Sequence, residues 1–259
     1  MKVIDQMNRP VSIPKFPERI VSLVPSQTEL LVNLGLSDKI VGVTKFCVHP
    51  EGLKKEKTII GGTKNFNFDK IKALNPDLII GNKEENYKEG IEKLEKDYPV
   101  WMSDIYNLWD ALDMILAVGK ITNKEKEATL LWKEINNKKN RVLENNKPQK
   151  KALYLIWKNP YMAAGSNNYI NEMMKLNGFE NCCNTEEYSR YTELTEKEII
   201  KLAPKTILLS SEPFPFKEKH LEELRKLVPS AEVKLVDGEL YSWYGSRIAK
   251  ALDSFITTN

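Results

Sequence analysis

The sequence predicts an α/β fold with two similar lobes, each built on a mainly parallel sheet, joined by one long α-helix and separated by a cleft. Three observations support this prediction: short apolar stretches alternate with amphipathic ones, one segment recurs 128 positions later, and a long polar stretch without Gly or Pro lies between the two halves. Alternating strands and helices are typical of parallel sheets that carry helices on their faces.

Composition limits the class of protein. A chain of 259 residues with 41% hydrophobic and 29% charged side chains is globular and long enough for one large domain or two of roughly 100–150 residues. Its 39 basic and 36 acidic side chains are interspersed, so no nucleic-acid surface is indicated. The cysteines, Cys47, Cys182 and Cys183, are odd in number and indicate no disulfide framework. The longest apolar runs fall short of the ~18 residues that cross a membrane.

The recurring segment reads LNPDLIIGNKEEN at 74–86 and LAPKTILLSSEPF at 202–214. The two copies align without a gap, so that Pro76 corresponds to Pro204. Each copy predicts the end of a helix, a proline that stops it, a short apolar strand and a glutamate eight positions after the proline. Agreement at one fixed spacing favours two similar lobes over a chance repetition of a common α/β pattern.

In the first half we predict strands at 19–24, 39–43, 77–80 and 100–102, and helices at 68–74 and 87–96. A further helix starts at Pro25, with Ser26 as its N-cap and Glu29 completing a capping box, and ends at Gly35. In the second half we predict strands at 152–157, 206–209 and 232–236, and helices at 169–176, 196–202, 217–227 and 243–255.

The polar stretch at 123–146 has apolar Ala128, Leu131, Trp132 and Ile135 at helical spacing. It predicts one helix of about 20 residues, roughly 30 Å long. A disordered linker is the alternative. The predicted domains are an N-terminal α/β lobe at 1–122, a connecting helix at 123–147 and a C-terminal α/β lobe at 148–259.

A family resemblance is carried by the stretches RIVSLVPSQTELLVNLGLSDKIVGVT, FCVHP, ALNPDLIIGNKEEN, SSEPFPF and SWYGSR. Together with the connector, they resemble the helical-backbone substrate-binding proteins of ABC transporters, the class that takes up cobalamin, ferric siderophores and haem. The resemblance extends from Asp5 to the last helix, and the chain is most similar to the cobalamin-binding-protein-like branch. It implies a receptor for a metal chelate that serves transport and is not an enzyme.

The resemblance also implies a role for the repeat. In this class each lobe presents a glutamate to an arginine pocket of the permease dimer, and the matching positions are Glu84 or its neighbour Glu85 in the first lobe and Glu212 in the second. A two-fold partner needs equivalent anchors on equivalent lobes. We therefore expect these glutamates to be exposed. Ordinary solvated glutamates are the alternative.

The ligand is expected between the lobes, where strand ends and helix N-termini face each other. The candidate binding residues follow predicted strands or lie in loops: Pro25, Ser26, Phe46, His49, Lys64 and Phe66 in the first lobe, and Trp157, Tyr161, Tyr188, Arg190, Trp243, Tyr244 and Arg247 in the second. Many aromatic side chains suit a large flat ligand such as a corrinoid or porphyrin, although each could belong to the core. The basic members could pair with carboxylates of haem or of a siderophore, which is the alternative ligand class.

No metal site of the protein's own is expected, because His49 has no set of His, Cys and carboxylate ligands around it in the sequence. His49 could ligate the cobalt or iron of a bound chelate, and a loop histidine that bonds backbone is its simpler interpretation. A chelatase-like enzyme that handles a tetrapyrrole would need a His and carboxylate pair, such as His49 with Glu186 or Glu187. No phosphate-binding or nucleophile-elbow motif supports an enzyme.

The N-terminal residues contain no apolar export-signal region. The protein is therefore expected in the cytoplasm if the chain is native as written, and in the periplasm or anchored at the surface if an export signal was removed. The expected partners are a small-molecule ligand and an ABC permease dimer, without nucleic acid or a membrane span. We expect a monomer with no cofactor of its own and a corrinoid or other metal chelate as ligand.

Overall fold

A computed structural model of the protein describes residues 1–145 and 149–257. The last residues of the predicted connector, 146 and 147, lie outside this range. The chain divides into two compact units: the first comprises Met1–Ile105, Trp109–Glu134 and Tyr244–Arg247, and the second comprises Tyr106–Leu108, Ile135–Trp243 and Ile248–Asn259. Within the described residues, no helix is both long and apolar enough for a transmembrane segment.

The strands are β1 (Lys2–Ile4), β2 (Pro10–Ser12), β3 (Ile20–Ser22), β4 (Ile40–Val43), β5 (Thr58–Ile59), β6 (Gly61–Gly62), β7 (Asn65–Phe66), β8 (Leu78–Asn82), β9 (Val100–Ser103), β10 (Lys150–Trp157), β11 (Tyr161–Ala164), β12 (Phe179–Asn181), β13 (Tyr191–Leu194), β14 (Thr206–Ser210) and β15 (Glu232–Val236). The helices are α1 (Pro25–Asn33), α2 (Leu53–Glu56), α3 (Phe68–Leu74), α4 (Lys88–Leu94), α5 (Leu108–Ile121), α6 (Glu125–Glu144), α7 (Tyr169–Leu176), α8 (Glu196–Leu202), α9 (Glu218–Leu227), α10 (Glu239–Ser242) and α11 (Arg247–Thr257).

The first unit contains a parallel sheet with the strand order β5-β4-β3-β8-β9. Every residue of β3, β8 and β9 is buried. Apolar runs of this kind are typical of parallel strands covered on both faces. Two small antiparallel pairs, β1 with β2 and β6 with β7, complete the strand pairing of this unit.

The second unit contains a sheet with the order β13-β11-β10-β14-β15, in which β12 also pairs with β10. Strands β10, β12, β14 and β15 pair in parallel, whereas β11 is antiparallel to both β10 and β13. A buried cluster that includes Leu155, Ile207, Leu209 and Leu221 fills the space around this sheet. The predicted α/β class with mainly parallel sheets is confirmed.

The repeat is confirmed as a structural duplication. Helix α3 and strand β8 recur as α8 and β14 with both ends shifted by 128 positions. The shared offset extends to the caps: the side chains of Asn67 and Thr195 cap the two helices, and Asn75 (φ 44°) and Ala203 (φ 47°) end them in the left-handed conformation. The two segments therefore use the same local geometry with different side chains.

The predicted capping box at the first helix is wrong. Pro25 occupies the first turn of α1, Val24 is its N-cap, and no side chain caps it. Ser26 lies inside the helix, and the Glu29 carboxylate accepts hydrogen bonds from Arg247 at 2.7 and 2.8 Å. Proline at this position requires no cap for its own nitrogen, because it has no N–H.

The connector prediction is confirmed as a helix, because α6 runs unbroken for 20 residues. The predicted last helix is wrong at its start: α10 and α11 are separated by 243–246, where Gly245 has φ +99°. Helix α5 and the antiparallel strands β11 and β13 were not predicted.

Replacing Asn67 or Thr195 by alanine should each lower the free energy of unfolding by about 1 kcal/mol, because each side chain accepts a backbone N–H of its helix at 2.9 and 3.3 Å. Asn67→Ser and Thr195→Ser keep a capping oxygen and are the matched controls. Urea denaturation followed by circular dichroism measures the difference. Equal stability of the alanine and serine variants would contradict these cap assignments.

Candidate functional site

Buried polar side chains gather at the carboxyl ends of the parallel strands of the first unit. The Gln27 amide donates to the Ser103 hydroxyl at 2.6 Å and to the carbonyl of Gly81 at 3.2 Å. The Asn82 amide donates to the same Ser103 hydroxyl at 2.9 Å. Since β8 and β9 end here, helix α1 and both strand ends are joined by one buried network.

Asn82, the last residue of β8, shapes the loop that follows. Its side-chain oxygen accepts the backbone N–H groups of Glu84 at 2.8 Å and Glu85 at 3.0 Å. The Asn86 side chain closes the loop by accepting the backbone N–H of Asn82 at 2.9 Å and donating to the carbonyl of Thr63 at 3.0 Å. The backbone of both candidate docking glutamates is therefore fixed by side chains of the same loop.

A second buried group in this unit surrounds the thiol of Cys47. Thr28 donates to Ser22 at 2.8 Å, and the Thr28 hydroxyl lies 3.1 Å from the sulfur. Thr44 lies 3.3 Å from the same sulfur, and burial raises the pKa of the Cys47 thiol. The thiol is thus a protonated core group that anchors the start of the loop carrying Phe46 and His49.

Tyr244 and Arg247 belong to the first unit and are buried in it. The Tyr244 hydroxyl lies beside the side chains of Ser26 and Ser103, and burial raises its pKa well above the usual value. The Arg247 guanidinium forms a two-point ion pair with Glu29. This pair uses two N–H donors of the Arg247 guanidinium, on its Nε and Nη2 atoms.

Strand β14 of the second unit ends as β8 does. Ser210 is its last residue, and the Ser210 hydroxyl accepts the backbone N–H of Glu212 at 3.3 Å and donates to the carbonyl of the same residue at 2.5 Å. The Tyr154 hydroxyl donates to Ser210 at 3.1 Å from the neighbouring strand β10. Asn82 and Ser210 are equivalent positions of the repeat, so each glutamate follows a turn fixed by the side chain two residues earlier.

The Glu212 carboxylate is held inside its unit. One of its oxygens accepts the Ser242 hydroxyl at 2.7 Å and the Trp243 indole N–H at 2.8 Å. Burial raises the pKa of the carboxyl group despite these hydrogen bonds. The expectation of exposed glutamates is wrong here, because the turn after α10 folds over Glu212; Glu84 and Glu85 are also half-buried.

Aromatic side chains form a surface at the carboxyl end of β10. Trp157 is 40% exposed, and its ring meets Phe214 edge-on with 5.6 Å between centroids. Phe214 in turn packs on Phe216 at 4.8 Å and on His220 at 5.4 Å. His220 is buried and its Nδ1 accepts the backbone N–H of Lys217, so it supports these rings from below. We call Trp157, Phe214 and Phe216 the aromatic shelf.

Arg190 lies elsewhere in the second unit, with its guanidinium 4.7 Å from the ring centre of Tyr106. The backbone of Arg190 has φ 58°. Its N–H donates to the Ser166 carbonyl at 2.7 Å, and its carbonyl accepts the N–H of Gly165 at 2.7 Å. A Cβ on Gly165 would lie 1.7 Å from the Tyr188 carbonyl oxygen, so only glycine allows this approach.

The remaining predicted site residues differ in accessibility. Phe46 is 49% exposed, Lys64 is exposed and donates to the Glu84 carbonyl, and His49 is half-buried. Tyr161, Tyr188 and Arg190 are half-buried, whereas Pro25, Ser26, Phe66, Trp243, Tyr244 and Arg247 are buried. Their contact with a ligand stays a prediction.

Sequence reasoning missed several site residues. Phe214 is the last residue of the repeated segment, and its position after the predicted strand 206–209 was the available signal. Asn82 and Ser103 also follow predicted strands, whereas Gln27 and Ser242 had no such signal and meet their partners only in the fold. Among the residues that the structure describes, no group of three or more His, Cys, Asp or Glu side chains could hold a metal ion.

Comparison with known proteins identifies the family. A family model described as periplasmic binding protein matches residues 20–232. The chain belongs to the periplasmic binding protein family. The resemblance stated from the sequence is thereby confirmed, and the matched residues include both copies of the repeat.

Three comparisons show the range within the family. An uncharacterized ABC transporter substrate-binding lipoprotein of Bacillus subtilis (strain 168) is 28% identical over 79% of this chain and 67% of its own length. A vitamin B12-binding protein of Vibrio vulnificus (strain CMCP6) is 26% identical over 77% of this chain and 74% of its own. The apo structure of a periplasmic heme-binding protein from Roseiflexus sp. RS-1 shares the fold, with TM-score 0.76 at 22% identity over 92% of this chain and 97% of that one.

Glu212→Ala should lower the free energy of unfolding by about 1–3 kcal/mol, because the Trp243 N–H loses its Glu212 acceptor, whereas the Ser242 hydroxyl can still donate to the Gly238 carbonyl at 2.9 Å. Glu212→Gln keeps an accepting oxygen and loses the charge. Thermal and urea unfolding at several pH values measure both variants, and Glu222→Gln at an exposed position of α9 is the control.

The raised pKa of the Glu212 carboxyl group predicts how the stability of the protein changes with pH. A carboxyl group whose pKa is raised on folding stabilises the fold below its unfolded pKa, and this contribution is lost as pH rises through the folded pKa. The native protein should therefore lose stability over that interval relative to Glu212→Gln. Parallel pH profiles for the two proteins would contradict a raised pKa.

Proposed function

We propose that the chain is the substrate-binding receptor of an ABC importer and that it binds a cobalamin-like corrinoid. The observation that carries this proposal is the similarity to a vitamin B12-binding protein over 77% of the chain. The aromatic shelf supports it, because the exposed ring of Trp157, backed by the half-buried Phe214, suits a large flat ligand.

The ligand residues of this proposal are the accessible ones. Trp157 and Phe214 offer ring edges and faces in the second unit, and Phe46 and His49 lie on the loop after β4 in the first. Buried members such as Phe66, which packs on Tyr87 with 4.8 Å between ring centroids, would support the loops from behind. A receptor of this kind binds its ligand unchanged, which fits relatives that are named as binding proteins.

A haem or ferric-siderophore ligand is the second candidate. Arg190 and Lys64 are the cations that favour it, because both ligands carry anionic edges. Arg247 supports it less, since Glu29 already pairs with its guanidinium. A chelatase-like enzyme is a third candidate and rests on His49 with Glu186 or Glu187 alone; both glutamates are exposed.

Docking to the permease dimer is proposed through one glutamate of each repeat. The equivalent turns at Asn82 and Ser210 support this, because they fix the backbone of Glu84 and Glu212 in the same way. Glu212 differs in that its carboxylate is held by Ser242 and Trp243. We propose a periplasmic or surface-anchored monomer in keeping with the family.

Ligand identity is tested by titrating the protein with cobalamin, cobinamide, haem and a ferric siderophore while tryptophan emission is recorded. The proposed ligand should quench emission, and Trp157→Phe should lose most of the change. Trp109→Phe, at an exposed position of α5, is the matched control. At a hundredfold excess over Kd, the ligand should raise the free energy of unfolding by about 2.7 kcal/mol.

Coloured ligands also reduce tryptophan emission by absorbing light. Isothermal titration calorimetry therefore measures the affinity of each ligand independently. Haem or siderophore binding without corrinoid binding would replace the first candidate by the second. If none of the four ligands changes the melting temperature at concentrations far above micromolar, the receptor proposal in this form is wrong.

Docking is tested with Glu84→Arg, Glu85→Arg and Glu212→Arg in membranes that contain the cognate permease. Placing a like charge opposite an arginine pocket costs several kcal/mol, so ATPase stimulation should need at least tenfold more receptor. Glu84→Arg should fold normally, whereas Glu212→Arg should also lower the melting temperature because it removes two hydrogen bonds. Glu89→Arg, exposed on α4, is the control, and an equal effect from it would contradict specific docking.

A further inference from the structure

A groove of about 480 Å³ lies beside the hairpin β1–β2 and helix α5 of the first unit. Its apolar wall is formed by Val3, Ile4, Pro10, Trp101, Ala117 and Ile121. We call it the hairpin groove. Strand ends β3, β4 and β8, where the candidate ligand residues of this unit lie, contribute no residue to its wall.

The apolar wall is accessible at its rim. Ile4 is 63% exposed and Ala117 is half-buried, although both lie beside other apolar side chains. Single exposed apolar side chains are ordinary, but one that borders a concave apolar surface extends it into a contiguous apolar patch, and such patches mark ligand-binding grooves. A volume of this size lies within the range of small-molecule sites.

The charge at the rim has one sign. Lys2, at the start of β1, and Lys120, in the last turn of α5, are exposed and line the groove, and none of its described lining residues is acidic. Trp101 also lines the groove, and its buried indole N–H meets no acceptor among the residues that the structure describes. Cationic groups at the rim of an apolar wall select a ligand with an apolar body and an anionic group.

We propose that the hairpin groove binds one anionic amphiphile, an alkyl chain of medium length that ends in a carboxylate or phosphate. The alkyl chain lies on the apolar wall and covers Ile4 and Ala117, while the head group pairs with Lys2 and Lys120. This site is separate from the proposed transport ligand, and it can be tested without knowing that ligand.

The probes are sodium octanoate, decanoate and dodecanoate as monomers, titrated by calorimetry below their micelle concentrations. Affinity should increase about fourfold for each methylene group added, until the chain exceeds the groove. Nonyltrimethylammonium, with the same alkyl chain as the decanoate probe and a positive head group, should bind at least threefold more weakly. The assigned Trp101 indole resonance should shift in nitrogen-proton spectra, and Trp101→Phe identifies it.

Two matched pairs of variants locate the site. Ala117→Leu fills the groove and should weaken decanoate binding at least tenfold, whereas Ala73→Leu, exposed on α3, should not change it. Lys2→Gln with Lys120→Gln should weaken binding about threefold to tenfold and reduce its salt dependence. Lys55→Gln with Lys72→Gln removes two exposed lysines outside the groove and is the control.

Three results would overturn the proposal. Decanoate could fail to bind, could bind no better than its cationic counterpart, or could bind Ala117→Leu as well as the native protein. A separate experiment measures binding of the protein to vesicles of anionic phospholipid. If the protein binds these vesicles but no monomeric carboxylate, the exposed apolar side chains adsorb to a membrane and the groove is not a ligand site.

Discussion

The burial of whole parallel strands is the constraint on which the rest of the structure depends. All residues of β8 and β14 are buried, so their backbone groups must find partners within the sheets. In β8 and β14, the side chains that bond the following loop lie at the carboxyl ends of the strands. Asn82 and Ser210 occupy these ends, and each turns the chain by bonding the backbone two residues later. The position of the candidate docking glutamates follows from this single local arrangement.

The two copies differ in what surrounds their glutamates. In the first unit, the loop is closed by its own amide side chains and by the Lys64 ammonium group on the Glu84 carbonyl. In the second unit, Ser242 and Trp243 come from a distant part of the chain and hold the Glu212 carboxylate itself. The duplicated backbone therefore carries, in its second copy, a glutamate whose carboxylate is held by the turn after α10.

Local signals account for the part of the fold that was predictable. Helices α3, α7 and α8 begin and end at the predicted residues because each has a polar cap and a residue that stops it. Helix α5 was missed although Asp110, Asp113 and Lys120 recur at helical spacing, opposite buried apolar side chains. Strands β11 and β13 pair antiparallel beside a parallel set, which no local pattern indicates. The capping box failed because helix α1 begins two residues earlier than the pattern requires, with Val24 as its N-cap, and Glu29 pairs with Arg247, far away in sequence.

The sequence by itself determined the α/β class, the duplication, the connecting helix and the family, because these depend on periodicity, caps and spacing along the chain. Only the tertiary structure decided which polar groups share a site. Gln27 with Ser103, Arg247 with Glu29 and Trp243 with Glu212 are contacts between residues far apart in sequence. Such contacts depend on strand order and on how loops fold back over a sheet. The local sequence pattern contains no information on strand order or on how loops fold back. The exposure of an aromatic ring or a carboxylate is therefore decided only by the packing of the folded chain.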